Sequence, residues 1–283
     1  MIQSIDSGNP NIDQIALTFD DGPHSEHTLN LLAVLNQHGV KATFFLLGEN
    51  INGHESIVKQ IVQEGHLIAN HSKSHPDLLK CDDHTVLEQL TYTNTVIENI
   101  TGKAPAYFRP PYGETDDRVN NLAGSLGLTP IMWSLDTNDW KGLGVDAIEK
   151  ELMKATPGSI ILCHDGVPAS NQTIEAVNIA IPKLQQQGLN FVTLSELLVG
   201  GGQTEYPSAD SPINIPHSSI PPIAQPVPGQ KYAVQPEDDL SKIAEKSYGD
   251  GNEQSWRKIY EANINIIGSD PSIIKIGMVL DIP

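Results

Sequence analysis

Leu67-Ile68-Ala69-Asn70-His71-Ser72-Lys73-Ser74-His75-Pro76 is an apolar run that ends in two histidines and a proline. On a helix, imidazoles four residues apart would stack on one face. Pro76 biases His75 away from helical φ/ψ, so the stretch reads as a strand, Leu67 to Asn70, running into a loop. Two neutral imidazoles at the mouth of a sheet suit Zn²⁺ or a similar divalent ion, and a catalytic zinc typically takes three protein ligands while keeping a position open. A third ligand is required, with a carboxylate the expected type. In a chain with ten histidines the spacing alone is weak. Its meaning depends on what the neighbouring segments bring to the same place.

Those segments alternate in kind up to about residue 199. Ile15 to Phe19 is an apolar run halted by Asp20-Asp21-Gly22-Pro23, a strand stopped by turn residues. His27 to His38 carries Leu29, Leu32 and Leu35 at helical spacing and is ended by Gly39. A strand from Ala42 to Leu47 and a helix from Ser56 to Glu64 precede the opening stretch, and a long helix from Asp83 to Ile100 follows it. Further strands are expected at Ala106–Arg109, Pro130–Leu135, Ser159–Cys163 and Asn190–Leu194, with helical stretches after the first three. Strands separated by helices imply βαβ units and a mainly parallel sheet. No glycine-rich dinucleotide fingerprint follows the first strand. The α/β class expected is therefore a distorted (β/α) barrel and not an open doubly wound sheet.

In such barrels the chemistry lies at the C-terminal strand ends. Asp20 and Asp21 end the first strand, His71 follows the third and Arg109 ends the fourth. Asp136 and Asp139 follow the fifth, and His164 with Asp165 ends the sixth. Each cluster taken singly reads as an ordinary turn, but their common placement at one end points to a site. Adjacent residues of a regular strand face opposite ways, so Asp20 and Asp21 converge only if the strand breaks at Gly22-Pro23. One is then available for metal and the other for a proton.

Composition narrows the class. With 283 residues, 39% of them hydrophobic, the chain can bury a sizeable core and has room for a second small domain. A formal net charge of −18 argues against a nucleic-acid partner, whose binders present basic faces. No apolar run approaches the roughly 18 residues of a membrane span. Two cysteines, Cys81 and Cys163, are too few for a disulfide framework. Met1 is followed by polar residues, so no secretory leader is visible.

Thr18-Phe19-Asp20-Asp21-Gly22, His71-Ser-Lys-Ser-His75, Arg109-Pro-Pro-Tyr-Gly113, Asp136-Thr-Asn-Asp139-Trp140 and Leu162-Cys163-His164 resemble, in order, the five motifs of the polysaccharide deacetylases (NodB-homology, carbohydrate esterase family 4). The resemblance covers roughly residues 13 to 199. It implies that Asp21, His71 and His75 hold a divalent metal, zinc first, with cobalt or another divalent ion possible. It implies Asp20 as general base oriented by Arg109, the backbone N–H of Tyr112 as oxyanion donor, and His164 as the acid that protonates the departing amine. Asp139 would favour the imidazolium form of His164, and Trp140 and Leu162 would wall the acetyl methyl. Alternation along the strand turns Cys163 away from Leu162 and His164, as befits a buried structural cysteine.

After Val199 the composition changes. Gly200-Gly201-Gly202 opens a stretch rich in proline and serine, to about Gly229, that reads as an extended linker. From Lys231 a compact pattern returns: a strand at Tyr232–Gln235, helices at Asp239–Ser247 and Asn252–Asn263, and a last strand at Met278–Ile282. This βααβ unit resembles a LysM domain, a module that binds N-acetylglucosamine glycans through the loop near Pro236 to Leu240 and the segment before the last strand. The organisation expected is a deacetylase domain over 1–199, a linker over 200–229 and a LysM domain over 230–283. The resemblances imply a secreted or cell-wall enzyme, monomeric, removing N-acetyl groups from chitin, chitooligosaccharides or peptidoglycan. An O-acetyl xylan esterase and a catalytically silent glycan-binding protein are the alternatives.

Overall fold

The computed structural model describes residues 2–199, 228–234, 238–268, 270, 271, 274 and 279–283. The chain divides into two compact units, Met1–Ile213 and Asn214–Pro283. The linker expected over 200–229 lies, apart from its last two residues, outside the described residues. So do Gln235, the Pro236 end of the expected glycan loop, and Met278.

The first unit alternates strand and helix: β1 (Gln14–Asp20), α1 (His27–His38), β2 (Thr43–Leu46), α2 (Gly48–Ile51), α3 (Glu55–Gln63), β3 (Leu67–Asn70), α4 (Asp83–Thr101) and β4 (Tyr107–Phe108). It continues with α5 (Asp117–Ser125), β5 (Thr129–Pro130), β6 (Leu135–Asp136), α6 (Val145–Leu152), β7 (Ile160–His164), α7 (Ser170–Gln186), β8 (Asn190–Phe191) and α8 (Leu194–Val199). The strands pair in parallel in the order β5-β4-β3-β2-β1-β7-β6, with β8 added beside the start of β1. This is the curled sheet of a distorted (β/α) barrel.

Two sequence expectations need correction. The strand read at Pro130–Leu135 is two short strands: β5 pairs with β4 and β6 with β7, so the two edges of the curled sheet are halves of one extended segment. A continuous apolar run carries no mark of such a change of partner. At the break Ile5 supplies the missing ladder, its N–H donating to the Pro130 carbonyl (3.0 Å) and its carbonyl accepting from Met132 N–H (2.7 Å). The second correction is at Asn190–Leu194, where the strand stops at Phe191 and Leu194 already opens α8.

Alternation along β1 sorts side chains between two layers. Ile15, Leu17 and Phe19 pack outward beneath the helices, whereas Ala16 belongs to the inner cluster with Phe45, Ala69, Tyr107 and Ile160. Thr18 and Asp20 share that inner face, so the barrel interior grades from apolar at its base to ionised at its mouth. Register then sets the mouth: Asp20 stands level with His164 on β7, and Asn70 on β3 stands level with Phe108 on β4. The residues one step further, His71 and Arg109, therefore emerge side by side.

In the second unit, β9 (Gln230–Ala233) pairs antiparallel with β10 (Val279–Ile282), and α9 (Leu240–Tyr248), α10 (Glu253–Ala262) and a short α11 (Ile264–Ile267) lie between them in sequence. Asp239 and Asn252 cap α9 and α10 by accepting from Lys242 and Ser255 N–H groups. Tyr232, Leu240, Ile243, Ile259 and Leu280 fill a small core. The order is that of the βααβ unit expected, with α11 in addition.

Candidate active site

The strand does break after Asp20, and it breaks at Asp21, whose φ of 71° lies in the left-handed region. The carboxylates of Asp20 and Asp21 thereby reach one cavity of about 360 Å³, lined also by His71, His75, Tyr112, Trp133, Asp136, Trp140, Leu162 and His164. Ser72 (φ 70°) and His75 (φ 60°) are left-handed too. Pro76 does keep His75 out of the right-handed helix, and the loop that follows the strand turns toward the cavity through these left-handed residues.

His71 is buried, and its Nδ1 lies 2.8 Å from the Arg109 carbonyl oxygen. A carbonyl only accepts, so Nδ1 carries the proton and Nε2 presents its lone pair to the cavity when the ring is neutral. His71 Nε2 is 3.4 Å and His75 Nε2 3.5 Å from Asp21 Oδ1, too far for good hydrogen bonds. That oxygen is buried and has no hydrogen-bond partner among the described residues. Ligand atoms about 2.0–2.2 Å from a tetrahedral zinc stand about 3.4 Å apart, so one divalent ion would satisfy the orphaned oxygen and both imidazoles. Among the described residues, Asp21, His71 and His75 form the one cluster of three or more such donors. Burial would raise the Asp21 pKa, but hydrogen bonding to His71 and the charge of the neighbouring imidazoles when protonated outweigh it and hold the carboxyl at about 2.

On one side of this set stands Asp20. Arg109, fully buried, donates from Nη1 to Asp20 Oδ1 (2.8 Å) and to Thr18 Oγ1 (2.7 Å), and stacks over Phe45 at 4.1 Å. Its Nη2 and Nε donate to the carbonyls of Met132 (3.1 Å) and Ile131 (3.4 Å), where the β5–β6 segment changes partners. One guanidinium thus satisfies carbonyls at the seam of the barrel and grips a single oxygen of Asp20. The other oxygen, Oδ2, lies 3.7 Å from His71 Nε2.

On the other side stands His164, its Nδ1 2.8 Å from Asp139 Oδ1. Asp139 is inaccessible to solvent and also accepts from the backbone N–H groups of His164 and Trp140 and from Thr173 Oγ1. Burial would lower the His164 pKa, but hydrogen bonding to Asp139 and its charge prevail, holding the ring at about 9. His164 is therefore an imidazolium at neutral pH, with Nδ1–H committed to Asp139. Leu162 is buried against the cavity, and Trp140, half exposed, is its rim and not a core aromatic. Tyr112 (φ 62°) stacks edge-on over His75 at 4.4 Å. Cys163 faces the outer core, and both cysteines are free.

The ten residues to which the resemblance assigns a role thus gather at one barrel mouth. Thr18 and Thr173, which hold Arg109 and Asp139, were not singled out, nor was Trp133. Thr18 lay inside a quoted motif, while Thr173 has no local signal on its helix.

Fold and cavity together define a (β/α) barrel whose mouth gathers three side chains that could hold a metal ion, Asp21, His71 and His75. Residues 7–131 match the polysaccharide deacetylase family and residues 232–283 the LysM domain. A peptidoglycan-N-acetylglucosamine deacetylase of Bacillus cereus is 42% identical, over 68% of this chain and 70% of that protein. A chitooligosaccharide deacetylase of Rhizobium leguminosarum bv. trifolii is 37% identical, over 64% and 90%. The crystal structure of the Bc1960 peptidoglycan N-acetylglucosamine deacetylase superposes with a TM-score of 0.68 at 40% identity, covering 70% of this chain and 94% of that one. The chain belongs to the polysaccharide deacetylases, the NodB-homology hydrolases of carbohydrate esterase family 4, and carries a C-terminal LysM domain.

Proposed function

We propose that this protein is a metal-dependent deacetylase that removes N-acetyl groups from N-acetylglucosamine polymers, of chitin or peptidoglycan type, at the cell wall or outside the cell. The observation that carries the reading is the unsatisfied Asp21 oxygen facing His71 and His75, set between a tethered carboxylate and a charged imidazole. A divalent ion, most simply Zn²⁺, would lower the pKa of a water and polarise the acetyl carbonyl. Asp20, oriented by Arg109, takes the proton as the water oxygen bonds to the acetyl carbon. The Tyr112 N–H donates to the developing oxyanion. His164 delivers its Nε2 proton to the nitrogen as the C–N bond breaks, releasing acetate and a free amine. Leu162 and Trp140 enclose the methyl group.

Acetate release from chitooligosaccharides, peptidoglycan and acetylated xylan is the test. Chelation should abolish it and added Zn²⁺ or Co²⁺ restore it. Asp20→Asn should keep the metal but lose about 10²- to 10⁴-fold in kcat, the usual worth of a general base. Full activity in protein shown metal-free by elemental analysis would sink the reading. Preference for xylan would favour the O-acetyl esterase, and no release from any substrate the silent glycan binder.

We assign residues 1–199 to catalysis, 200–229 to a linker and 230–283 to glycan targeting. A tethered binding module raises effective substrate concentration without altering the chemistry. Truncation before Lys231 should therefore weaken binding to insoluble chitin or cell-wall sacculi and leave kcat on a short oligomer nearly unchanged. Equal pull-down by the intact and truncated chains would remove the targeting role.

A further inference from the structure

The turn that follows β2 supplies no ligand, yet it is bonded to both loops that do. Leu47 N–H donates to the Gly22 carbonyl (2.9 Å) and Asn50 Nδ2 to the Asp21 carbonyl (2.8 Å). Gly48 and Glu49 N–H groups donate to the carbonyls of Ser72 (3.0 Å) and Lys73 (2.9 Å), inside the segment between the two histidines. Strand order explains the position, since β2 lies between β1 and β3 and its C-terminal turn emerges between their loops. Close approach explains Gly48, because a Cβ there would overlap Thr93 Oγ1 on α4. The turn is wedged between the ligand loops and the helix behind them.

Three of these four hydrogen bonds come from main-chain N–H groups. Asn50 provides the fourth, from a side chain that reaches the residue in need of restraint. Asp21 sits at φ 71°, where a side chain is unfavourable, and among the described residues its Oδ1 has no hydrogen-bond partner to hold the carboxylate in place. Gly166 packs against the same peptide, since a Cβ on it would overlap the Asp21 carbonyl. The Asp21 peptide is thus closely packed by Gly166 and bonded by the Asn50 amide.

We propose that Asn50 is a positioning residue for the cation site, fixing the backbone of Asp21 so that its carboxylate already faces His71 and His75 before an ion arrives. The inference rests on the metal reading above. Its test uses the full chain as wild type, Asn50→Leu and Asn50→Ala. Leucine keeps the side-chain volume and alanine does not, but both remove the donor. Zinc affinity is measured by competition with a chromophoric chelator, and thermal melting is followed on the metal-free protein. Both variants should weaken zinc binding about 10- to 100-fold, the usual cost of losing a partner behind a ligand, with the metal-free Tm at the wild-type value. Zinc affinity equal to wild type in both variants overturns the proposal, and so does a metal-free Tm that collapses in both, which would make Asn50 a prop of the barrel. A wild-type chain that binds no zinc sinks the metal reading, and this inference with it.

Discussion

At the N-terminal end of β3 the barrel buries His66, and at the C-terminal end of β7 it leaves the His164 side chain 12% exposed. His66 accepts a hydrogen bond at Nδ1 from Ala42 N–H, and its nearest carboxylate oxygen, on Glu64, stands 3.9 Å away. Burial, with Lys41 adding to it, holds its pKa at about 3. His164 meets the same desolvation but has Asp139 at 2.8 Å, and its pKa stands at about 9. Burial by itself makes an imidazole neutral and inert; one directly bonded carboxylate reverses the outcome. Linkage then gives the two ends opposite pH behaviour. The stability His164 contributes is complete below its unfolded pKa of about 6.5 and is lost as pH rises through about 9. His66 binds a proton only when unfolded, so it destabilises the barrel as pH falls below about 6.5.

The largest effect that can break this contrast is removal of the charged ring. His164→Ala should lose about 10²- to 10⁴-fold in kcat on an N-acetyl substrate, and less on an O-acetyl substrate, whose alkoxide departs with less help than an amine. Equal losses on the two would take His164 out of the acid role. Asp139→Asn is the finer cut, because it leaves the imidazole and removes what charges it. With burial opposed only by the charges of Asp20 and Asp21, the His164 pKa should fall below its wild-type value of about 9. An acid must be protonated to act, so the alkaline limb of kcat/KM should move to lower pH. If the limb stays where the wild type has it, another group supplies the proton.

How far the sequence announced this arrangement depends on the distance over which each signal acts. The Leu67–Asn70 run, the double histidine and Pro76 sit within ten residues, and they located β3 and its ligand loop. The pairing of Asp20 with Arg109 was available through motif resemblance, but the second task of Arg109, satisfying carbonyls at the barrel seam, was not. That seam exists because one extended segment pairs with β4 in its first half and β7 in its second, and hydrophobic periodicity is blind to a change of partner. Thr173 reaches Asp139 from 34 residues away, and Asn50 reaches Asp21 from 29. Each is a single polar side chain on a helix, indistinguishable in sequence from a solvated one. His66 was not singled out either, since one histidine before an apolar strand carries no sign of its protonation state.

His66 also offers the smallest and cleanest test of the contrast, because it can be altered without touching the cavity. Its ring packs edge-on against Phe44, and among the described residues no group donates to or accepts from its Nε2. His66→Leu deprives Ala42 N–H of its acceptor, which should cost about 1–3 kcal/mol at any pH. It also removes a residue that gains a proton on unfolding. At pH 4.5 that proton favours the unfolded wild type by about 3 kcal/mol, the product of the 1.36 kcal/mol per pKa unit and the gap to 6.5. The variant should therefore be the less stable protein at pH 7.5 and close to or above the wild type at pH 4.5, with kcat at neutral pH unchanged. Denaturant midpoints of both proteins at the two pH values measure the difference of slopes directly, since all other groups titrate alike in each. Parallel slopes would mean that His66 takes up a proton in the folded barrel, and that burial without a carboxylate does not suffice to keep an imidazole neutral here.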